Sequence, residues 1–140
     1  MTIKEIQEEI IDEFSMFDDW MQRYEYIIEL GKSLPLIEES YKVDENLIVG
    51  CQSKVWLQAE IEGDDLHFTA DSDAILTKGI VALLLRVFDH QKPVDILDAD
   101  LYFIDEIGLK EHLSPTRANG LVSMIKQIKL YALAFQSKLS

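Results

Sequence analysis

The chain has 140 residues, 48% of them apolar, and a formal net charge of −13. That size suits one domain, residues 1–140, with a sizeable core, and the acidity argues against nucleic acid, whose phosphates reward basic patches. A single cysteine excludes an internal disulfide, a CxxC redox pair and an all-thiolate metal site.

The opening residues, MTIKEIQEEIIDEFSMF, are too acidic for a secretory signal or a transit peptide. The longest apolar run, about Gly79 to Leu85, falls far short of the roughly 20 residues that span a bilayer. A cytoplasmic protein without a membrane segment is expected. Charge is uneven along the chain: −9 over residues 1–50, −7 over 51–110 and +3 over 111–140.

Ile3, Ile6, Ile10 and Phe14 recur at three- and four-residue steps and predict a first amphipathic helix. A second is predicted in DDWMQRYEYIIELGKSLP, with acids at its start, Gly31 as C-terminal cap and Pro35 beyond. Its apolar stripe is Trp20, Tyr24, Ile27 and Ile28. Residues 38–46, EESYKVDEN, read as a surface loop, and LIV at 47–49 as a short strand.

From Lys54 to Glu62 apolar and polar residues alternate strictly, GDD at 63–65 signals a turn, and LHFTAD alternates again. Opposing Glu62 to Asp65 sets Ile61 against Leu66, Ala59 against Phe68 and Leu57 against Ala70, all on one face. Glu60 then faces His67, and Trp56 faces Asp71, on the other. DSDAILTKGIVALLLRVFDH follows as a helix with Ser72 or Asp73 as N-cap, apolar around most of its circumference and therefore central.

VDILDADLYFIDEIGLKEHL predicts no more than short helical turns. A last helix starts at SPTRANG, with Ser114 as cap and Pro115 in its first turn. Its stripe, Leu121, Ile125, Ile128, Ala132, Phe135 and Leu139, is too short for a coiled coil and is expected to dock on the same chain. The order ααβββααα gives an α+β fold, a small antiparallel three-stranded β-sheet packed with helices.

His67, His90 and His112 show no ligand spacing and the glycines form no phosphate loop, so neither a metal nor a nucleotide is expected. Asp71 and Asp73 are read as surface charge and cap. Cys51 lies in GCQS, between predicted strands. Cys-Gln is poor chemistry for a two-residue hairpin turn, so the loop is longer or the backbone strained. The register brings the start of the helix after Ser72 near the thiol, which favours thiolate, while Asp71 and Asp73 oppose it. On the residues alone Cys51 is either a packed, inert thiol or a reactive one.

LIVGCQSKVWL, at residues 47–57, resembles the cysteine-bearing motif of the SufE family of sulfur-acceptor proteins. The resemblance extends through YEYIIELGKSLP, DSDAILTKGIVALLL and HLSPTRANGL in the family's order, and covers both the SufE and CsdE types. It implies a fold similar to that of the iron–sulfur scaffold protein IscU. It also implies that Cys51 takes sulfane sulfur, as a persulfide, from a PLP-dependent cysteine desulfurase of the SufS or CsdA type, stimulates that enzyme, and delivers the sulfur to a scaffold of the SufBCD type or another acceptor.

No cofactor is expected on this chain, since PLP belongs to the partner, and a monomer or weak homodimer is expected. A lone cysteine suits a relay, because a second thiol would resolve the persulfide and release the sulfur. Around Cys51, Gly50 is expected to permit the turn, and Gln52 and Ser53 to offer hydrogen bonds or simply to form the turn. Trp56 is expected to cover the thiol. Asp73 is a cap or faces the partner; Arg117 holds the Cys51 loop, contacts the donor, or is an ordinary surface arginine. Two rival functions are a tether that activates a partner without chemistry at Cys51, and a one-cysteine thiol peroxidase.

Overall fold

In the computed structural model residues 1–139 are described, the last without its side chain. Helix α1 (Ile3–Phe14) starts in a capping box: Glu5 N donates to Thr2 Oγ1 at 3.1 Å and Thr2 N to Glu5 Oε1 at 2.9 Å. It buries Ile3, Gln7, Ile10 and Phe14, while Ile6 is only half-buried. Helix α2 (Trp20–Leu30) is capped by Asp19, whose Oδ1 accepts from Gln22 N at 2.8 Å. Of its expected stripe only Ile27 is fully buried.

Gly31 does end α2, but not by turning left-handed: its φ is −59° and a 3-10 turn, Gly31–Ser33, follows. The glycine is there for approach. A Cβ on Gly31 would lie 3.2 Å from Gly79 N, and one on Gly79 would lie 2.1 Å from Ile27 O. Two glycines thus let α2 cross the next long helix backbone against backbone.

Strands β1 (Val55–Glu62) and β2 (Asp65–Ser72) pair antiparallel with Glu62 opposite Asp65, Ala59 opposite Phe68 and Trp56 opposite Asp71. This is the register expected from the alternation. Val55, Leu57, Leu66, Phe68 and Ala70 face the core.

Among the described residues the sheet has two strands, not three. Leu47 makes a single antiparallel bridge to Trp56, and Ile48 N donates to Val55 O at 2.9 Å. The pairing stops there because Val49 stands 89% exposed and Gly50 turns the chain away at φ +96°. The opposite edge is blunted by single bridges from Leu36 to Ala70 and from Gln91 to Leu66.

Helix α3 (Ile75–Phe88) buries Thr77, the whole run from Gly79 to Leu85, Val87 and Phe88, as an all-round apolar helix must. Arg86 near its end pairs with Glu9 and Glu13 of α1. Short helices α4 (Pro93–Asp98) and α5 (Phe103–Glu106) follow. Helix α6 (Pro115–Leu139) begins with Arg117 N donating to Ser114 Oγ at 3.2 Å. It docks on its own chain through Leu121, Met124, Ile128 and Ala132, with Ile125 and Phe135 half-buried. The side chain of Leu139, the last of the expected stripe, lies outside the described residues.

Candidate functional site

The loop carrying Cys51 is fastened at both ends. Its entry is the Ile48–Val55 hydrogen bond. At its exit Lys54 N donates to Asp73 Oδ1 at 3.0 Å, Asp73 N to Lys54 O at 3.3 Å, and Ser72 Oγ to Lys54 O at 2.8 Å. Asp73 is therefore not the N-cap of α3. That position is Ala74, with no side-chain cap, and Ser72 Oγ, besides donating to Lys54 O, accepts from Ala74 N at 3.3 Å. The segment DSD continues the sheet ladder by one side-chain bond and so anchors the loop.

At the apex, the backbone requires Gly50. Its φ of +96° is left-handed, and a Cβ there would sit 2.6 Å from Ser123 Oγ of α6. The turn presses Cys51 onto α6, where Sγ lies 3.7 Å from Gly120 O. A Cβ on Gly120 would lie 3.5 Å from that sulfur, in ordinary van der Waals contact, so helix and thiol pack closely here.

Cys51, Gln52 and Ser53 share a cleft with Thr77 and Ile80 of α3 and Thr116, Arg117, Gly120 and Met124 of α6. Its free volume of about 10 Å³ is at the threshold for one water molecule. Burial pushes the Cys51 thiol pKa up. The start of α3 does lie near the thiol, since Thr77 lines the same cleft, but the group to which Sγ donates is the Gly120 carbonyl oxygen, which suits S–H and disfavours thiolate.

Arg117 is exposed at the cleft, and among the described residues its guanidinium has no carboxylate within ion-pair distance. Trp56 is not among the cleft residues. It lies on the outer face of the sheet, its ring centroid 5.5 Å from Lys42 Nζ, and Lys42 pairs with Asp71 at 2.7 Å. Asp71, held also by Lys78 at 3.3 Å, is committed to ion pairs.

Thr77, Ile80, Thr116, Gly120, Ser123 and Met124 were not singled out by the sequence. Only Gly120 carried a signal, as a glycine inside a helix, which marks a close approach. Among the described residues no helix is long and apolar enough to cross a membrane.

Residues 8–132 match the profile of the SufE family, described as an Fe-S metabolism associated domain. An uncharacterized SufE-like protein of Rhizobium meliloti (strain 1021) is 45% identical over 127 residues, spanning 87% of this chain and 91% of that protein. One of Synechocystis sp. (strain ATCC 27184 / PCC 6803 / Kazusa) is 36% identical, spanning 91% and 80%. The fold is similar to the solution structure of a hypothetical protein from Thermus thermophilus, with a TM-score of 0.78 and 18% identity over 94% of this chain and 96% of that one.

Proposed function

The chain belongs to the SufE family, so its role lies in Fe–S metabolism, and we propose that Cys51 is its sulfur acceptor. The donor is the persulfide of a PLP-dependent cysteine desulfurase, and the recipient an iron–sulfur scaffold or another sulfur acceptor. The observation that supports this reading is the placement of the one cysteine in an anchored loop, half-buried in a cleft between α3 and α6.

At rest the thiol is protonated and shielded, so it resists alkylation and oxidation. A docking desulfurase draws the loop off α6, which removes the Gly120 carbonyl from the sulfur and lets the proton leave to solvent. The exposed Arg117 then favours the thiolate.

The thiolate attacks the terminal sulfur of the donor persulfide. A new S–S bond forms on Cys51, the donor's own S–S bond breaks, and the donor cysteine leaves with that electron pair and takes up a proton. In the second transfer an acceptor thiolate attacks the same terminal sulfur and Cys51 departs as thiolate. Sulfane sulfur moves with no net oxidant. Clearing the desulfurase's persulfide is how the carrier stimulates it.

Incubation with a PLP-loaded cysteine desulfurase and free cysteine, followed by intact-mass measurement, tests the proposal. A gain of one sulfur atom is expected, removed by a thiol reductant and absent in Cys51→Ser. No gain overturns the proposal, while stimulation that survives Cys51→Ser would replace it with a tether.

A further inference from the structure

At the far end of the β1–β2 hairpin the fold gathers two of the three histidines. The chain leaving α3 runs back along β2, with His90 N donating to Leu66 O at 2.8 Å and Leu66 N to Gln91 O at 2.9 Å. The His90 ring lies parallel to that of His67, at 5.0 Å between centroids and 12° between planes, with its Nε2 3.4 Å from Asp89 Oδ2. Glu62 is on the same outer sheet face as His67, as the alternation requires. One ring nitrogen from each histidine and a carboxylate oxygen of Glu62 all lie within 4.8 Å of one another.

The surroundings suit a cation. Asp89 Oδ1 is fixed by Phe68 N at 2.8 Å and receives the Nδ1–H of His67 at 3.0 Å. An ionised carboxylate only accepts, so this bond places the proton on Nδ1 and leaves the lone pair on Nε2. A carboxylate behind a histidine is the arrangement that orients and strengthens a metal ligand. Asp89 is also the C-cap of α3, so His90 follows directly on the negative end of a 14-residue helix dipole. His90 holds a left-handed backbone at φ 60°, the one non-glycine residue to do so among the described residues.

We propose that Glu62, His67 and His90 bind a borderline divalent transition-metal ion, of which zinc is the probe, with Asp89 as the orienting carboxylate. Two imidazoles and one carboxylate leave open positions for water or an exchangeable ligand. The site is separate from Cys51 and takes no part in its chemistry. Linear spacing could not show it, since residues 62, 67 and 90 meet only through the hairpin register and the return of the chain along β2.

The test titrates zinc into Cys51→Ser protein, so that the thiol cannot contribute, and follows heat and the histidine Hε1 resonances by NMR. Expected are one zinc per chain and shifts at His67 and His90, with His112 unmoved. Glu62→Gln and His90→Asn should each weaken binding by more than ten-fold; asparagine tolerates the left-handed backbone, so the fold is kept. Circular dichroism of the two variants checks that. Equal shifts at all three histidines, unaltered affinity in both variants, or no uptake at millimolar zinc would overturn the proposal.

Discussion

Gly120→Ala separates the helix from the site. Gly120 is the sixth residue of α6, where alanine in place of glycine favours the helix by about 0.5–1 kcal/mol. The new Cβ would meet Cys51 Sγ at 3.5 Å, Cα at 3.7 Å and Cβ at 3.9 Å, all ordinary van der Waals contact. The thiol form therefore accommodates it. Stability should rise, by up to about 4 °C in Tm for a domain of this size.

The persulfide form is different. The cleft has about 10 Å³ free, and the methyl removes it. A sulfane sulfur turned inward would then be overpacked by about 1–2 kcal/mol, which lowers the loaded fraction at equilibrium by roughly 5- to 30-fold. Thermal unfolding and intact-mass loading with limiting donor persulfide measure the two effects on one variant. A more stable protein that loads poorly is expected. Wild-type loading in a stabilised variant would show that the sulfur never uses this space, and a destabilised variant would refute the packing geometry itself.

Three further outcomes are expected. Gly79→Ala puts a Cβ 2.1 Å from Ile27 O, a backbone clash that should cost about 3 kcal/mol or more; a urea midpoint equal to wild type would count against the α2–α3 crossing. Asp73→Ala frees Lys54 N and should cost about 1 kcal/mol while speeding alkylation of Cys51 several-fold, so an unchanged rate would mean the loop is not held at its exit. Because burial raises the Cys51 pKa, alkylation of the free protein should reach half its maximal rate above the ordinary thiol value of about 8.5. By linkage, the stability that this group contributes is present below that pH and lost as pH rises through the folded pKa. A half-maximum below it, or no acceleration when a desulfurase is bound, would contradict the shielded resting thiol.

The hairpin register was readable because side chains alternate with period two, so one residue of slip would turn Leu57, Phe68 and Ala70 out of the core. The central place of α3 was readable for a like reason, since no helix so apolar can face water. The third strand was over-read: LIV has β-forming residues, but propensity does not count hydrogen bonds, and Gly50 stops the ladder after one bridge. Local capping rules offer Ser72 or Asp73 for the start of α3 because they cannot see Lys54, nineteen residues from Asp73.

The sequence by itself determined the α+β class, the pairing of β1 with β2 and Cys51 as the lone thiol. Those follow from periodicity and composition, which are local. Only the tertiary structure decided that the thiol leans on the Gly120 carbonyl, that Trp56 meets Lys42 instead of covering the thiol, and that His67 and His90 stack. Each depends on how close two remote backbones come, and that distance is set by packing and by glycines whose missing side chains carry no periodic signal.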